Sequence, residues 1–288
     1  MTIPYALRLI CVCLASFAIV FAVTGFTVSI FVPAALRTAE RMRAASAARF
    51  ILSLRLLPAA LAAFTVAAIC VPSFVRFEQR DEPEEVGMLC LLLVMFTAAV
   101  FAHSIFRTAM AWRRSVNAFS VLALVGIWRP RIVMSDEARE ILSPKELDMA
   151  LLHERAHASS RDNLKRFLIF FTPGAFPRFS SLEQAWKRFA EWAADDRATA
   201  GNPECSVSLA GALVQIAKLG KIGEPAPLAT PFLAEVSDLE VRVDRLLNPA
   251  PAAPYAYGSL APITLLALVL GASLYPEQVH ELLEHLVH

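Results

Sequence analysis

Residues 151–163 read LLHERAHASSRDN, in which His153-Glu154-Arg155-Ala156-His157 sets two imidazoles four positions apart with a carboxylate directly after the first. On an α-helix four positions is a little more than one turn, so both rings reach the same side and can share one cation. Neutral imidazole is a preferred Zn2+ ligand, bonded at about 2.0–2.1 Å. Glu154 stands where it can take a proton from a water that such an ion polarises, the arrangement of a hydrolytic site. A catalytic zinc needs a third protein ligand and one open position. The later segment EWAADDRA offers Glu191 as that ligand. Asp195, one turn on and on the same face, can accept the free ring N–H of a ligating histidine.

Each fragment also has a plainer reading. HERAH can be a solvated polar face, and Glu191, Asp195 and Asp196 can be surface acids balanced by Lys187, Arg188 and Arg197 at helical spacing. That both fragments occur in the right order, each on a helix that must turn an apolar face to a common core, favours the metal.

The elements that must position these groups are marked locally. Ser143, Pro144 and Glu146 form a capping box with proline in the tolerated first turn, so a helix starts at Pro144 and buries Leu147, Ala150 and Leu151. Before it, VLALVGIWRPRIVMS (Val121–Ser135) reads as a strand or hairpin pair with Pro130 at a turn or edge. The stretch Ser181–Ala200 has no breaker and stops at Gly201-Asn202-Pro203. Two more helices are expected over Ser206–Leu219 and Phe232–Leu247, and NPAPAAPYAY (Asn248–Tyr257) reads as a stiff linker.

Composition sets the surroundings. Of 288 residues, 57% are hydrophobic and only 18% charged, and the mean hydropathy is +0.53, too apolar for an ordinary soluble protein. Four uncharged stretches are long enough to cross a bilayer: Leu9–Leu36, Leu56–Val75, Val86–Phe106, and one centred on Gly258–Tyr275. The first connection carries Arg37, Arg41, Arg43, Arg49 and Arg55 against Glu40 alone. The second, RFEQRDEPEE, is acidic, and Arg107, Arg113 and Arg114 follow the third stretch. By the positive-inside rule both termini lie outside and the block that carries HERAH is cytoplasmic. The expected divisions are 1–106 with three spans, 107–256 as the catalytic block, 257–276 as the fourth span and 277–288 as a short external tail. The net charge of +1 gives no reason to expect a nucleic-acid partner. Four of the five cysteines lie in apolar spans without CxxC spacing, so neither a disulfide nor a thiolate metal site is expected.

Through GIWRPRIVMSDEAREILSPKELDMALLHERAHASSRDNLKRFLIFFTP and WKRFAEWAADDRA the sequence resembles the BlaR/MecR-type membrane zinc peptidases, the transducer part of bacterial β-lactam sensors. The resemblance is specific over residues 120–200 and architectural elsewhere. It implies a mainly α integral membrane protein of four transmembrane helices. Between the third and fourth it implies an inserted α+β gluzincin-type peptidase block, with a small sheet whose edge strand receives an extended substrate. It carries ligation of one Zn2+ to His153, His157 and Glu191, and the general base to Glu154. Supporting roles fall to Asp195 and Asp162. It implies the bacterial cytoplasmic membrane as the location and a protein substrate, often a transcriptional repressor or the receptor's own chain. The family's receptors continue into an external penicillin-binding domain. Here about a dozen residues follow the fourth stretch, with no Ser-x-x-Lys motif, so a signal is expected from a separate sensor partner, a second copy, the membrane or the small external segments.

The expectation is a membrane zinc metalloendopeptidase acting on a cytoplasmic or membrane-proximal protein. Its rival is a non-catalytic signalling or scaffold protein that keeps the fold. FLIFF (Phe167–Phe171), beside Lys165 and Arg166, is too short to span and reads either as core or as a segment dipping into the inner leaflet.

Overall fold

The computed structural model describes residues 5–77, 87–117, 121–219, 230–232 and 236–248. The expected fourth span and external tail lie outside these residues. Three helical stretches, Tyr5–Ala39, Ala44–Arg76 and Met88–Ser115, are long and apolar enough to cross a membrane. They correspond to α1 (Tyr5–Ala39), to α2 (Ala44–Thr65) continued through a π-helical turn at Val66–Cys70 into α3 (Val71–Phe77), and to α4 (Met88–Asn117). After α4 come β1 (Leu122–Val125), β2 (Arg131–Met134), α5 (Asp136–Ile141), α6 (Pro144–Ser160), α7 (Asp162–Phe171), α8 (Phe179–Thr199), α9 (Pro203–Lys218), β3 (Thr230–Pro231) and α10 (Val236–Leu247).

The helices outrun the apolar stretches read from the sequence, because a charge ends an apolar run without ending a helix. At 1.5 Å per residue, the 35 residues of α1 extend about 52 Å, against roughly 30 Å of hydrocarbon. The surplus is used. Val28, Val32 and Ala39 of α1 and Ala47, Ala48 and Ile51 of α2 close over Phe179, Leu182, Trp186, Phe189 and Ala190 of α8 in one buried cluster. Phe179 and Phe189, both essentially inaccessible, contribute about 1.5–3 kcal/mol each by burial.

A second cluster packs α6 and the end of α8 against the sheet and the later helices. It joins Leu122 of β1 and Leu142 to Ala150 of α6, Leu209, Leu213 and Ile216 of α9, Phe232 and Leu246. The sheet above it runs β2-β1-β3, all antiparallel. The β1–β2 hairpin pairs Leu122 with Met134 and Val125 with Arg131. It turns through Gly126, whose φ of 100° is a conformation side-chain-bearing residues rarely adopt. Pro130 lies just before β2, where no ladder donor is needed. The helix expected over Phe232–Leu247 is described over Val236–Leu247, and Phe232 itself is not helical. Phe232 follows the short strand β3, and its N–H donates to the Leu122 carbonyl.

Arg55 fastens the membrane helices to this body. Its guanidinium donates to Glu183 Oε1 at 2.9 Å, to the carbonyls of Ile169 (3.0 Å), Thr172 (3.2 Å) and Pro173 (3.2 Å), and to Thr172 Oγ1 at 3.2 Å. The side chain is 1% exposed and lies over the Phe179 ring. It therefore caps the C-terminal carbonyls of α7 and pairs with the first half of α8 at once. Arg55→Met should lower stability by about 3–5 kcal/mol, because it strands a carboxylate and several carbonyls inside a packed interface. Thermal unfolding of the detergent-solubilised chain measures this, and Arg55→Lys should recover only part, since an ammonium has three donors and no planar fork.

Candidate metal centre

The capping box predicted at the start of α6 is formed: the Glu146 N–H donates to Ser143 Oγ and the Ser143 N–H to Glu146 Oε2. From that start, α6 carries His153, Glu154 and His157 inward, all 0% exposed. It ends at Arg161, whose left-handed backbone (φ 55°, ψ 42°) breaks the helix and turns the chain back. That conformation costs about 1–2 kcal/mol for a residue with a Cβ, and the contacts made by Asp162 and Asn163 offset it. Asp162 swings under α6 and its Oδ2 lies 2.7 Å from His157 Nδ1, while Lys165 donates to its Oδ1 at 2.7 Å. Asn163 Nδ2 donates to the Leu124 and Gly126 carbonyls, 2.9 Å each, and so ties α7 to the end of β1.

Across from α6, α8 supplies Glu191 and Asp195, 7% and 1% exposed. They are thus not surface acids. The neighbouring Asp196 takes that part, pairing with Arg245 on the exposed side. Asp195 Oδ1 lies 2.9 Å from His153 Nδ1, close enough for an ion pair though not aligned as a good hydrogen bond. Arg197, two residues beyond Asp195, donates to the Ala156 carbonyl at 2.8 Å and helps hold α8 against α6.

His153, His157 and Glu191 each offer one ligand atom, and the three atoms lie within 4.8 Å of one another. The Nε2 atoms of the two rings are 3.1 Å apart, and Glu191 Oε2 is 3.5 and 3.6 Å from them. Each ring turns its Nδ1 to a carboxylate, which favours the proton on that nitrogen and leaves Nε2 as an acceptor. In that neutral tautomer two such nitrogens and a carboxylate converge as acceptors on one point. Both Glu191 oxygens, and both oxygens of Glu154, are buried without a hydrogen-bond partner among the described residues. Buried polar atoms left so are rare and costly, and a cation at the convergence point relieves both the cost and the repulsion. The donor set of two imidazoles and one carboxylate suits a divalent metal.

The charges around the centre act on one another. Burial raises the Glu154 carboxyl to about 7, well above its usual range. Burial opposes charge on His157 too, but the Glu191 carboxylate and the contact with Asp162 push it up to about 10. For His153 burial is likewise outweighed by Asp195 and Glu191, and its affinity for a proton rises. Against its own burial, Glu191 is held far below the carboxylate range by His157, His153 and Arg242. Cations thus collect where these carboxylates point.

Arg242 is a part of this centre that motif reading did not find, as is Arg166, whose buried guanidinium lies 3.7 Å from Glu191 Oε1. Arg242 is 3% exposed and grips Asp195 with two bonds, Nε to Oδ2 at 3.0 Å and Nη2 to Oδ1 at 2.7 Å. Its Nη1 donates to the Phe232 carbonyl at 2.9 Å and lies 3.2 Å from Glu191 Oε2. Against the desolvation of a buried carboxyl, this guanidinium brings Asp195 down to about 2. The signal was present in α10, where Arg242 interrupts the apolar stripe of Leu239, Val243 and Leu246 at positions three and four apart. A charge on a buried stripe calls for a buried partner.

Residues 117–246 match the family model described as BlaR1 peptidase M56. Comparison with curated proteins and with solved structures gives no match.

Proposed function

We propose that this chain, whose segment 117–246 carries the likeness to the metal-dependent M56 peptidases, is a membrane-embedded zinc metalloendopeptidase that cleaves a cytoplasmic or membrane-proximal protein. The observation that supports it best is the pairing of a three-donor centre with Glu154, an uncommitted carboxylate buried beside it. A binding module or scaffold has no use for Glu154, since a buried carboxylate without partners only destabilises a fold.

In this reading His153, His157 and Glu191 hold the ion, with Asp195 and Asp162 fixing the two rings from behind. Bound Zn2+ would supply Lewis acidity, polarising the scissile carbonyl and lowering the pKa of water to near neutrality. Glu154 accepts a proton from the attacking water and later delivers it to the departing amine nitrogen. A carboxyl brought to about 7 by burial can do both near neutral pH. Arg242 keeps Asp195 ionised through the cycle, so that the hold on His153 does not slacken.

The chain is read as multi-pass in the bacterial cytoplasmic membrane, with the peptidase block on the arginine-rich cytoplasmic side and both termini outside. Regulated cleavage, such as inactivation of a transcriptional repressor, is the role the resemblance suggests, with the stimulus arriving from a separate sensor, a second copy or the bilayer. Purified full-length protein should contain about one zinc per chain. Stripping with a chelator should abolish peptide cleavage, and stoichiometric Zn2+ should restore it. A zinc-free preparation that still cleaves would overturn the proposal.

A further inference from the structure

Two features outside the metal centre share one side of the protein. The β1–β2 turn presents Trp128, 82% exposed, and Val125 and Val133 of the flanking strands are also exposed; Arg129 stands on the turn and Arg131 opens β2, both exposed. On α7, Leu164, Leu168 and Phe171 recur at helical spacing, with Leu168 and Phe171 exposed and Phe167 stacked on Phe171. Arg161 and Lys165 flank this row. A cavity of about 220 Å³ joins the two features, bounded by Ile127, Trp128 and Pro130 from the turn and by Arg161 and Leu164 from the start of α7.

The far end of α7 packs on α4, where Arg107 lies over the Phe170 ring. That part of α4 turns Ile105, Phe106 and Trp112 outward, and only 17% of its apolar window is buried within the protein. A helix so apolar and so exposed faces lipid if it spans. The α7 row thus runs from a helix that packs on α4 to the aromatic and basic hairpin turn with which it shares the cavity.

We propose that the β1–β2 turn and the outer row of α7 form one docking surface for anionic phospholipid. Trp128, Leu168 and Phe171 enter the interfacial zone, and Arg129, Arg131 and Arg161 pair with headgroup phosphates. Tryptophan with arginine is the composition favoured at that depth, and the basic rim complements an anionic leaflet. The turn is tied to the start of α7, next to Asp162, through the Asn163 side chain, so turn and helix meet the bilayer as one unit. The inference rests on reading α1, α2–α3 and α4 as spans, and not on the peptidase chemistry.

The test is hydrogen–deuterium exchange on the full-length chain in nanodiscs of phosphatidylcholine and of phosphatidylglycerol. Exchange over residues 126–131 should be about tenfold slower in the anionic discs, while buried β1 and α8 report unchanged. Arg129→Glu combined with Arg131→Glu, two exposed positions, should erase that difference without altering exchange in α8. The same slowing should appear in Glu154→Gln protein, so failure of the catalytic reading leaves this result intact. Equal exchange of the turn in both lipids overturns the proposal. So does slowing that appears only when a protein partner or substrate is added, which would make the surface a protein-docking one.

Discussion

Glu154→Gln is expected to leave zinc bound at the wild-type level and to lower single-turnover peptide cleavage by about 10²–10⁴-fold, the range for loss of a positioned general base. The amide keeps the size of the side chain and cannot accept the proton. Because Glu154 has no hydrogen-bond partner among the described residues and is raised to about 7 by burial, removing its ionisation should raise stability rather than lower it. Unchanged metal, unchanged or improved thermal stability and lost cleavage together separate a catalytic base from a structural acid. Loss of metal along with activity would instead place Glu154 among the ligands. In cells, new protein N-termini that vanish in the Glu154→Gln strain identify the substrate. A repressor fragment would indicate signalling, and fragments from many membrane proteins would indicate quality control.

The second large effect is expected at Arg242. Arg242→Met removes both bonds to Asp195 and the contact with Glu191, leaving two carboxylates in a buried site with one fewer cation. Destabilisation of about 3–5 kcal/mol is expected, as for other buried pairs broken on one side. Zinc affinity should fall about 10–100-fold, because His153 loses a firmly held carboxylate behind it. Adding Asp195→Asn should recover part of the stability, since the stranded charge is then gone, and recover little of the zinc affinity. Chemical denaturation and zinc competition titration on the single and double variants measure both quantities. If the two substitutions prove strictly additive, the bidentate pair is not an energetic unit.

What was legible in the sequence was local. Ser143, Pro144 and Glu146 announce the start of α6 because a cap is made from residues three apart, and HERAH lies on that helix with its ring spacing fixed by the helix itself. Glu191 and Asp195 were legible as a pair one turn apart, and the structure brings both to the histidines. Less was readable where partners come from far along the chain. Nothing near Arg242 reveals that its partner lies 47 residues earlier, although its place on an apolar stripe shows that a partner must exist. Phe232 was read into a helix because a two-residue strand such as β3 has no periodicity to detect. Its pairing is set by β1, which lies more than a hundred positions away in the sequence. Arg55 counted only as one basic residue of a connection, since the charge rule that orients a span does not register which carbonyls a guanidinium will meet.

The cluster that α1 and α2 build with α8 decides what a biochemist must handle. A soluble fragment starting after residue 106 would lose the partners of Trp186, Phe179 and Phe189 and the guanidinium that caps α7. Eight residues of α8, about 12 Å of helix, separate Glu183, where Arg55 grips, from Glu191 at the metal centre. Truncated preparations should therefore aggregate or come out depleted of metal, and a specimen fit for enzymology must keep α1 and α2 in a lipid or detergent shell.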